Sequence, residues 1–223
     1  ELDPIAAQAL LEMGMGDRMG LRAVRPVGDG ANEALTDDPF NGGRGGHALP
    51  VRSHIHYDRL YTFDVDPAHS RVLSRWVDVD GVDRGVAAVA VETDGVRYGL
   101  LPFALDAAMP ILLNLAHRVQ WAALFEWVGR RRLPCRVVRG VNLYPLAFAH
   151  PDDGSWLIAV ANFAADDATG AALDVAGLGE TARRVERLSE TGAWQAAPAP
   201  SEGRVGFDLK AFSLSAFRFL PAR

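Results

Sequence analysis

The pattern of hydrophobic and polar residues changes at Leu133-Pro134. Beyond this dipeptide no long stretch has helical periodicity. Short alternating segments are separated instead by turns that contain glycine, and the clearest of these segments covers residues 155–163. Several short strands at this spacing are typical of a β-sandwich. We therefore predict a separate all-β sandwich domain over residues 135–223.

Residues 1–134 predict a different, mixed α/β domain that is rich in strands. Apolar residues at helical spacing predict a first helix over residues 3–13, and a short strand is expected over 21–27. The glycine-rich residues 28–50 indicate a surface loop. Alternating segments with Asp-Gly hairpin turns predict several strands over residues 51–103.

One apolar segment, residues 106–128, predicts the long helix of this first domain. Its apolar residues cover most of the helix surface, and so wide a stripe is typical of a helix that packs on two sides. The predicted fold class is therefore α+β and mainly β: a mixed α/β N-terminal half is followed by an antiparallel β-sandwich.

Composition narrows the possible functions. The net charge of −5 argues against a nucleic-acid partner, which usually requires a basic surface. The longest apolar stretch is interrupted by polar and charged residues, so no membrane span is predicted. No signal peptide is visible, which favours a cytoplasmic location. The single cysteine excludes an internal disulfide, and no motif indicates a cofactor.

Three residues have the spacing of a possible metal site. His54, His56 and Asp58 would share one face of a strand, about 7 Å apart from one to the next. Imidazole and carboxylate groups suit zinc or iron. No fourth ligand is identifiable, so the alternative is a polar, solvent-facing side of an edge strand. Elemental analysis that finds no bound transition metal in the purified protein would exclude the metal site.

Candidate groups for other chemistry are weaker. No G-x-S-x-G elbow is present, and sequence spacing does not show which carboxylates could meet as an acid/base pair. The catalytic residues are therefore unknown. Trp156, Trp194 and Tyr144 could stack on sugar rings as a carbohydrate-binding site, although core packing is the usual role of such aromatic residues.

Several loose motifs together carry a resemblance. They are Leu2-Asp3, Gly14-Met15-Gly16, Asn41-Gly42, the hairpin over residues 86–101 with the helix that follows it to Trp127, and the strand over residues 156–163. With these motifs the chain resembles the C-terminal region of a bacterial glycoside-hydrolase-like protein. The first half is similar to a glutamine-amidotransferase-like, or β-galactosidase trimerisation-like, segment. The second half is similar to the C-terminal β domains of such enzymes.

The resemblance implies a role without catalysis. In such proteins the catalytic carboxylates lie on an upstream barrel, and this chain is too short to contain one. The resemblance thus implies an accessory or oligomerisation region, with an upstream catalytic barrel or a second copy as partner. Because residue 1 is Glu1, we expect a fragment of a longer protein. The alternatives are a carbohydrate-binding module and a small metal-dependent enzyme that uses His54, His56 and Asp58.

Overall fold

A computed structural model describes residues 4–27, 31–49, 60–102, 115–140 and 142–221, without the side chains of residues 180–183. The chain divides into two compact units, Glu1–Arg130 and Arg131–Arg223. Each unit has antiparallel sheets and its own buried core. The prediction of a mainly β, α+β fold is confirmed.

Unit 1 contains two helices and nine short strands among its described residues. The helices are α1 (Pro4–Glu12) and α2 (Leu115–Gly129). The strands are β1 (Leu21–Val27), β2 (Asn32–Leu35), β3 (Ala48–Leu49), β4 (Leu60–Val65), β5 (Ser70–Val72), β6 (Ser74–Val77), β7 (Asp83–Val86), β8 (Val89–Thr93) and β9 (Val96–Leu100).

These strands form two antiparallel sheets. One has six strands in the order β1-β4-β7-β6-β2-β3, and the other has three in the order β5-β8-β9. The central strand β8 carries Val89, Ala90 and Val91, all almost completely buried. A strand that is covered on both faces needs apolar residues at successive positions. This explains why alternation is absent from the sequence here.

The prediction of a surface loop over residues 28–50 is wrong for its described part, residues 31–49. Strands β2 and β3 pair with each other there, and a 3₁₀ turn at Pro39–Asn41 lies between them. The buried positions of β2 are Glu33 and Leu35. Because one of them is a charged residue, the segment has no hydrophobic alternation by which a strand is recognised.

Helix α2 buries a face that is only partly apolar. Its buried residues are Ala116, His117, Gln120, Trp121 and Leu124. A Cβ atom on Gly99 of β9 would collide with the Leu124 side chain, so the helix packs closely on the backbone of that strand. The first part of the predicted helix, up to residue 114, lies largely outside the described residues.

Unit 2 is an antiparallel β-sandwich, as predicted. Its strands are β10 (Arg136–Arg139), β11 (Leu143–Ala149), β12 (Trp156–Asn162), β13 (Ala168–Asp174), β14 (Arg184–Leu188), β15 (Trp194–Ala197), β16 (Arg204–Leu209) and β17 (Leu214–Leu220). One sheet has the order β10-β13-β16 and the other β11-β12-β17-β14-β15. Residues from both sheets form one buried cluster, which is the core of the sandwich.

Alternation along β12 assigns the two faces of the five-stranded sheet. Ile158 and Val160 are completely buried, and they pair with Phe217 and Ser215 of β17 on the inner face. Leu157, between them and Trp156, points to the other side and is partly exposed. Residues that pair directly across antiparallel strands share a face. The same division therefore extends across the sheet.

We expect Leu124→Ala to lower the free energy of unfolding of unit 1 by about 2–5 kcal/mol, because it leaves a cavity under α2. The matched control is Leu115→Ala, the same change in the same helix at a position that is 38% exposed. It should cost less than about 1 kcal/mol. Urea denaturation followed by circular dichroism measures both, and equal losses would contradict this packing.

Candidate functional site

The chemically richest cluster in the described residues is a buried polar network in unit 1. It consists of Glu33, Ser74, His117, Asn41 and Gln120, which we call the Glu33 network. These side chains are buried, and Glu33, Ser74, Asn41 and Gln120 have no solvent exposure at all. Their positions in β2, β6, the 3₁₀ turn and α2 bring together residues that are far apart in sequence.

Glu33 is the centre of this network. One carboxyl oxygen accepts a short hydrogen bond from the Ser74 hydroxyl, and the other lies 2.6 Å from Nε2 of His117. The Ser74 oxygen in turn accepts a hydrogen bond of 3.0 Å from the Ala88 N–H. Both carboxyl oxygens therefore have partners inside the protein, as buried polar groups require.

Asn41 and Gln120 form a second hydrogen-bonded pair of the network, in which Gln120 lies one turn along α2 from His117. The Gln120 amide donates to Oδ1 of Asn41 at 2.9 Å. Nδ2 of Asn41 donates to the carbonyl oxygens of Thr36 and Leu73, each at 2.8 Å. These bonds reach backbone carbonyls at the end of β2 and just before β6, and the Leu73 carbonyl also accepts from the Thr36 N–H at 3.0 Å.

The arrangement contains a serine, an acid and a histidine, but not in the order that nucleophilic catalysis needs. In a catalytic triad the imidazole lies between the serine and the acid and takes the serine proton. Here Glu33 lies between Ser74 and His117, and the Ser74 hydroxyl already donates to it. All three groups are buried, so a substrate could not reach them. Their role in this structure is to join β2, β6 and α2.

Outside the Glu33 network, several groups have shifted pKa values, and these shifts have ordinary structural causes. Burial raises the pKa of Tyr98 to about 12 and that of the Cys135 thiol to about 11. The pKa of Asp78 is lowered, chiefly because the side chain accepts a hydrogen bond of 2.8 Å from the Val82 N–H within a turn.

The predicted metal ligands His54, His56 and Asp58 lie outside the described residues, so the metal site stays a prediction. Within the described residues, no group of three or more His, Cys, Asp or Glu side chains is arranged to hold a metal ion. In that same part of the chain, no helix is both long and apolar enough to cross a membrane.

The three aromatic residues proposed for sugar binding lie in different surroundings in unit 2. Trp156 faces inward and packs against the sandwich core. Tyr144 is on the outer face of β11, where its ring centroid is 5.3 Å from that of Phe163. Trp194 is on β15, with the Arg218 guanidinium 4.8 Å from its ring centroid. Strands β11 and β15 are the two edges of the sheet, about 19 Å apart, so Tyr144 and Trp194 do not form one platform.

A groove of about 510 Å³ lies where β14 and β17 separate. The pairing of β14 with β17 ends at Arg187 and Phe217. Beyond this pair the groove is lined by Leu188 and by polar residues that include Asp208 and Lys210.

Arg187 spans the gap between the two strands, since it donates to the Ser215 hydroxyl at 2.9 Å and to the Asp208 carbonyl at 3.0 Å. Leu188 is the cross-strand partner of Trp194, although Trp194 itself is not among the residues that line the groove.

The outer face of the five-stranded sheet carries a second candidate surface. Six large apolar side chains on β11, β12, β17 and the residue after β12 share this side, and alanine residues fill the rows between them. We call them the apolar face: Tyr144, Leu146, Phe148, Leu157, Phe163 and Leu214. Four of them are more than half exposed. Contiguous exposed apolar surface of this kind marks an interaction site in soluble proteins.

Comparison with known proteins gives a likeness in fold only. The sequence matches no family model and no curated protein. Among solved structures, the chain is similar to a β-galactosidase from Bacillus circulans sp. alkalophilus, with a TM-score of 0.50 and 15% identity over 92% of this chain and 25% of that one. It is also similar to α-L-fucosidase isoenzyme 2 from Paenibacillus thiaminolyticus, with a TM-score of 0.53 and 10% identity over 92% of this chain and 33% of that one. The chain thus spans a quarter to a third of these enzymes.

We expect Glu33→Gln to lower the free energy of unfolding by about 1–3 kcal/mol, because an amide cannot accept from both Ser74 and His117. Glu190→Gln is the control, since the Glu190 side chain is 93% exposed and should tolerate the change. The loss of unfolding free energy caused by Glu33→Gln should differ by about 0.5 kcal/mol or more between the wild-type and the His117→Ala background, because the two groups are coupled. Equal losses in both backgrounds, measured by urea denaturation, would show that the pair does not interact.

Proposed function

We propose that this chain is a non-catalytic accessory region of a protein that acts on carbohydrate. The observation that carries the proposal is the burial of the reactive groups of the Glu33 network. Its acid, hydroxyl and imidazole groups are buried and hydrogen-bonded to one another, so these three groups support the fold and are not available to a substrate.

The carbohydrate context rests on the shared fold. Segments of a β-galactosidase and of an α-L-fucosidase have a similar fold over most of this chain, although the chain spans only a minor part of each enzyme. Both proteins act on glycosides by their names, and a chain of this fold fits a supporting segment of such a protein. A finer likeness of residues 1–134 to an amidotransferase-like segment stays a prediction from the sequence.

The apolar face fits an accessory role, because it is a surface built for packing. Leu146, Phe148 and Leu214 are between 54% and 60% exposed although they lie in regular strands. An upstream catalytic barrel or a second copy of the chain would bury them. Either partner would give the region a structural function in a larger protein.

A carbohydrate-binding module is the second candidate. The observation that favours it is the polar groove whose lining includes Leu188, the cross-strand partner of Trp194. The groove offers carboxylate, ammonium and guanidinium groups that can bond to sugar hydroxyls, and the neighbouring indole ring could stack on a sugar face. Tyr144, at the opposite edge, would then not belong to the same site.

The accessory proposal predicts that the purified chain does not hydrolyse nitrophenyl β-D-galactoside or nitrophenyl α-L-fucoside above the rate in buffer. A characterised β-galactosidase serves as positive control for the assay. Release of nitrophenol that follows the protein through size-exclusion chromatography and disappears in Glu33→Gln, with the fold retained, would overturn the proposal.

For the second candidate, a glycan array on the intact chain should show binding that Trp194→Ala weakens by roughly 10-fold or more, as expected for the loss of an aromatic anchor. Tyr144→Ala is the matched control, because it removes an aromatic ring from the far edge of the same sheet. Absence of any bound glycan, or equal losses in both variants, would exclude binding at this groove.

A further inference from the structure

The apolar face on unit 2 has the properties of a surface that binds itself. Its central rows run from Leu146 through Ala159 to Ala216, and from Tyr144 through Ala161 to Leu214. Large side chains at the sides and alanines between them give a shallow relief of ridges and hollows. We propose that the apolar face packs against the same face of a second copy, so that the chain forms a dimer with two-fold symmetry.

The exposed area matches what such a dimer needs. From the exposed fractions of its leucine and phenylalanine side chains, the face presents about 500 Å² of apolar surface. A standard-size interface buries about 800 Å² on each partner, of which about 65% is apolar in homodimers. The face therefore supplies roughly the whole apolar part of a stable two-fold interface.

The distribution of charge also favours a second copy of the chain as the partner of the apolar face. Each copy has a net charge of −5, and a contact surface without charged residues keeps the like charges of two copies apart. The described residues of β11 and β12 that point outward carry no charge. The first charged residue along the sheet is Arg218, and it already bonds to Glu186 at 2.9 Å. In a two-fold interface each residue meets the same surface on the partner, so a neutral face is self-complementary.

The neighbouring edge of the sheet points to association through the face rather than through strand pairing. Strand β11, which carries three residues of the face, is an edge strand, and it contains Pro145, which has no N–H to donate to another strand. His150 and Asp153, at the turn after β11, form a polar rim beside the apolar residues. An apolar centre with a polar rim is the usual anatomy of a protein interface.

The proposal is independent of carbohydrate chemistry. It names a partner for the accessory role, but it rests on the exposed side chains and not on that role. Hydrolysis by the chain would leave it intact, and a monomeric chain would leave the accessory role intact. The two proposals can therefore fail separately.

Sedimentation velocity on the intact 223-residue chain tests the dimer. We expect a species of twice the monomer mass of 24.1 kDa at about 50 µM protein. Leu146→Glu and Leu214→Glu each place a carboxylate in the apolar face and should raise the dimer dissociation constant by about 10-fold or more. The control is Val138→Glu, which adds the same charge at a partly exposed valine of β10 in the other sheet, and it should leave the dimer unchanged.

Circular dichroism and thermal unfolding of each variant separate loss of the dimer from loss of the fold. A folded Leu146→Glu monomer beside a dimeric Val138→Glu protein supports the proposal. A wild-type chain that stays monomeric at about 50 µM overturns it and leaves the face to a different partner. A dimer that survives both face variants overturns it as well, because the copies would then meet elsewhere.

Discussion

The structure of unit 1 depends on the burial of one carboxyl group, that of Glu33. A buried polar group without partners costs several kcal/mol, so Glu33 can leave solvent only when its partners are already in place. Those partners come from β6 and from α2, and they lie 41 and 84 residues away in sequence. Helix α2 can therefore take its position on the six-stranded sheet only when β2 and β6 pair in the register that brings Glu33 to Ser74.

Unit 2 follows a simpler rule, and the sequence alone predicts it well. Strands β12 and β16 alternate between buried and more exposed positions, so a period of two identifies β12 within one residue at either end. What the alternation does not reveal is the nature of the outer side. Leu157 reads as an ordinary member of an apolar run, and only the pairing of β11, β12 and β17 shows that it belongs to a continuous apolar surface.

The Glu33 network is the part that the sequence could not predict. Asn41 follows several polar and acidic residues in a glycine-rich segment, which is typical of a surface loop, and His117 and Gln120 appear as interruptions of an apolar helix. Their spacing of three residues, one turn of α2, is the signal that could have indicated a shared buried face. No local pattern reports that Glu33 lies opposite, because that depends on strand pairing between distant segments.

Cys135 has a practical consequence for anyone who labels this protein. It is the only cysteine in the chain, it is buried, and burial raises its pKa to about 11, which disfavours the thiolate at neutral pH. Maleimides and thiol-specific nitroxide reagents react with the thiolate, so we expect Cys135 to react slowly with them. A cysteine introduced at an exposed position would therefore carry a fluorophore or spin label alone, and the wild-type background needs no cysteine-free variant.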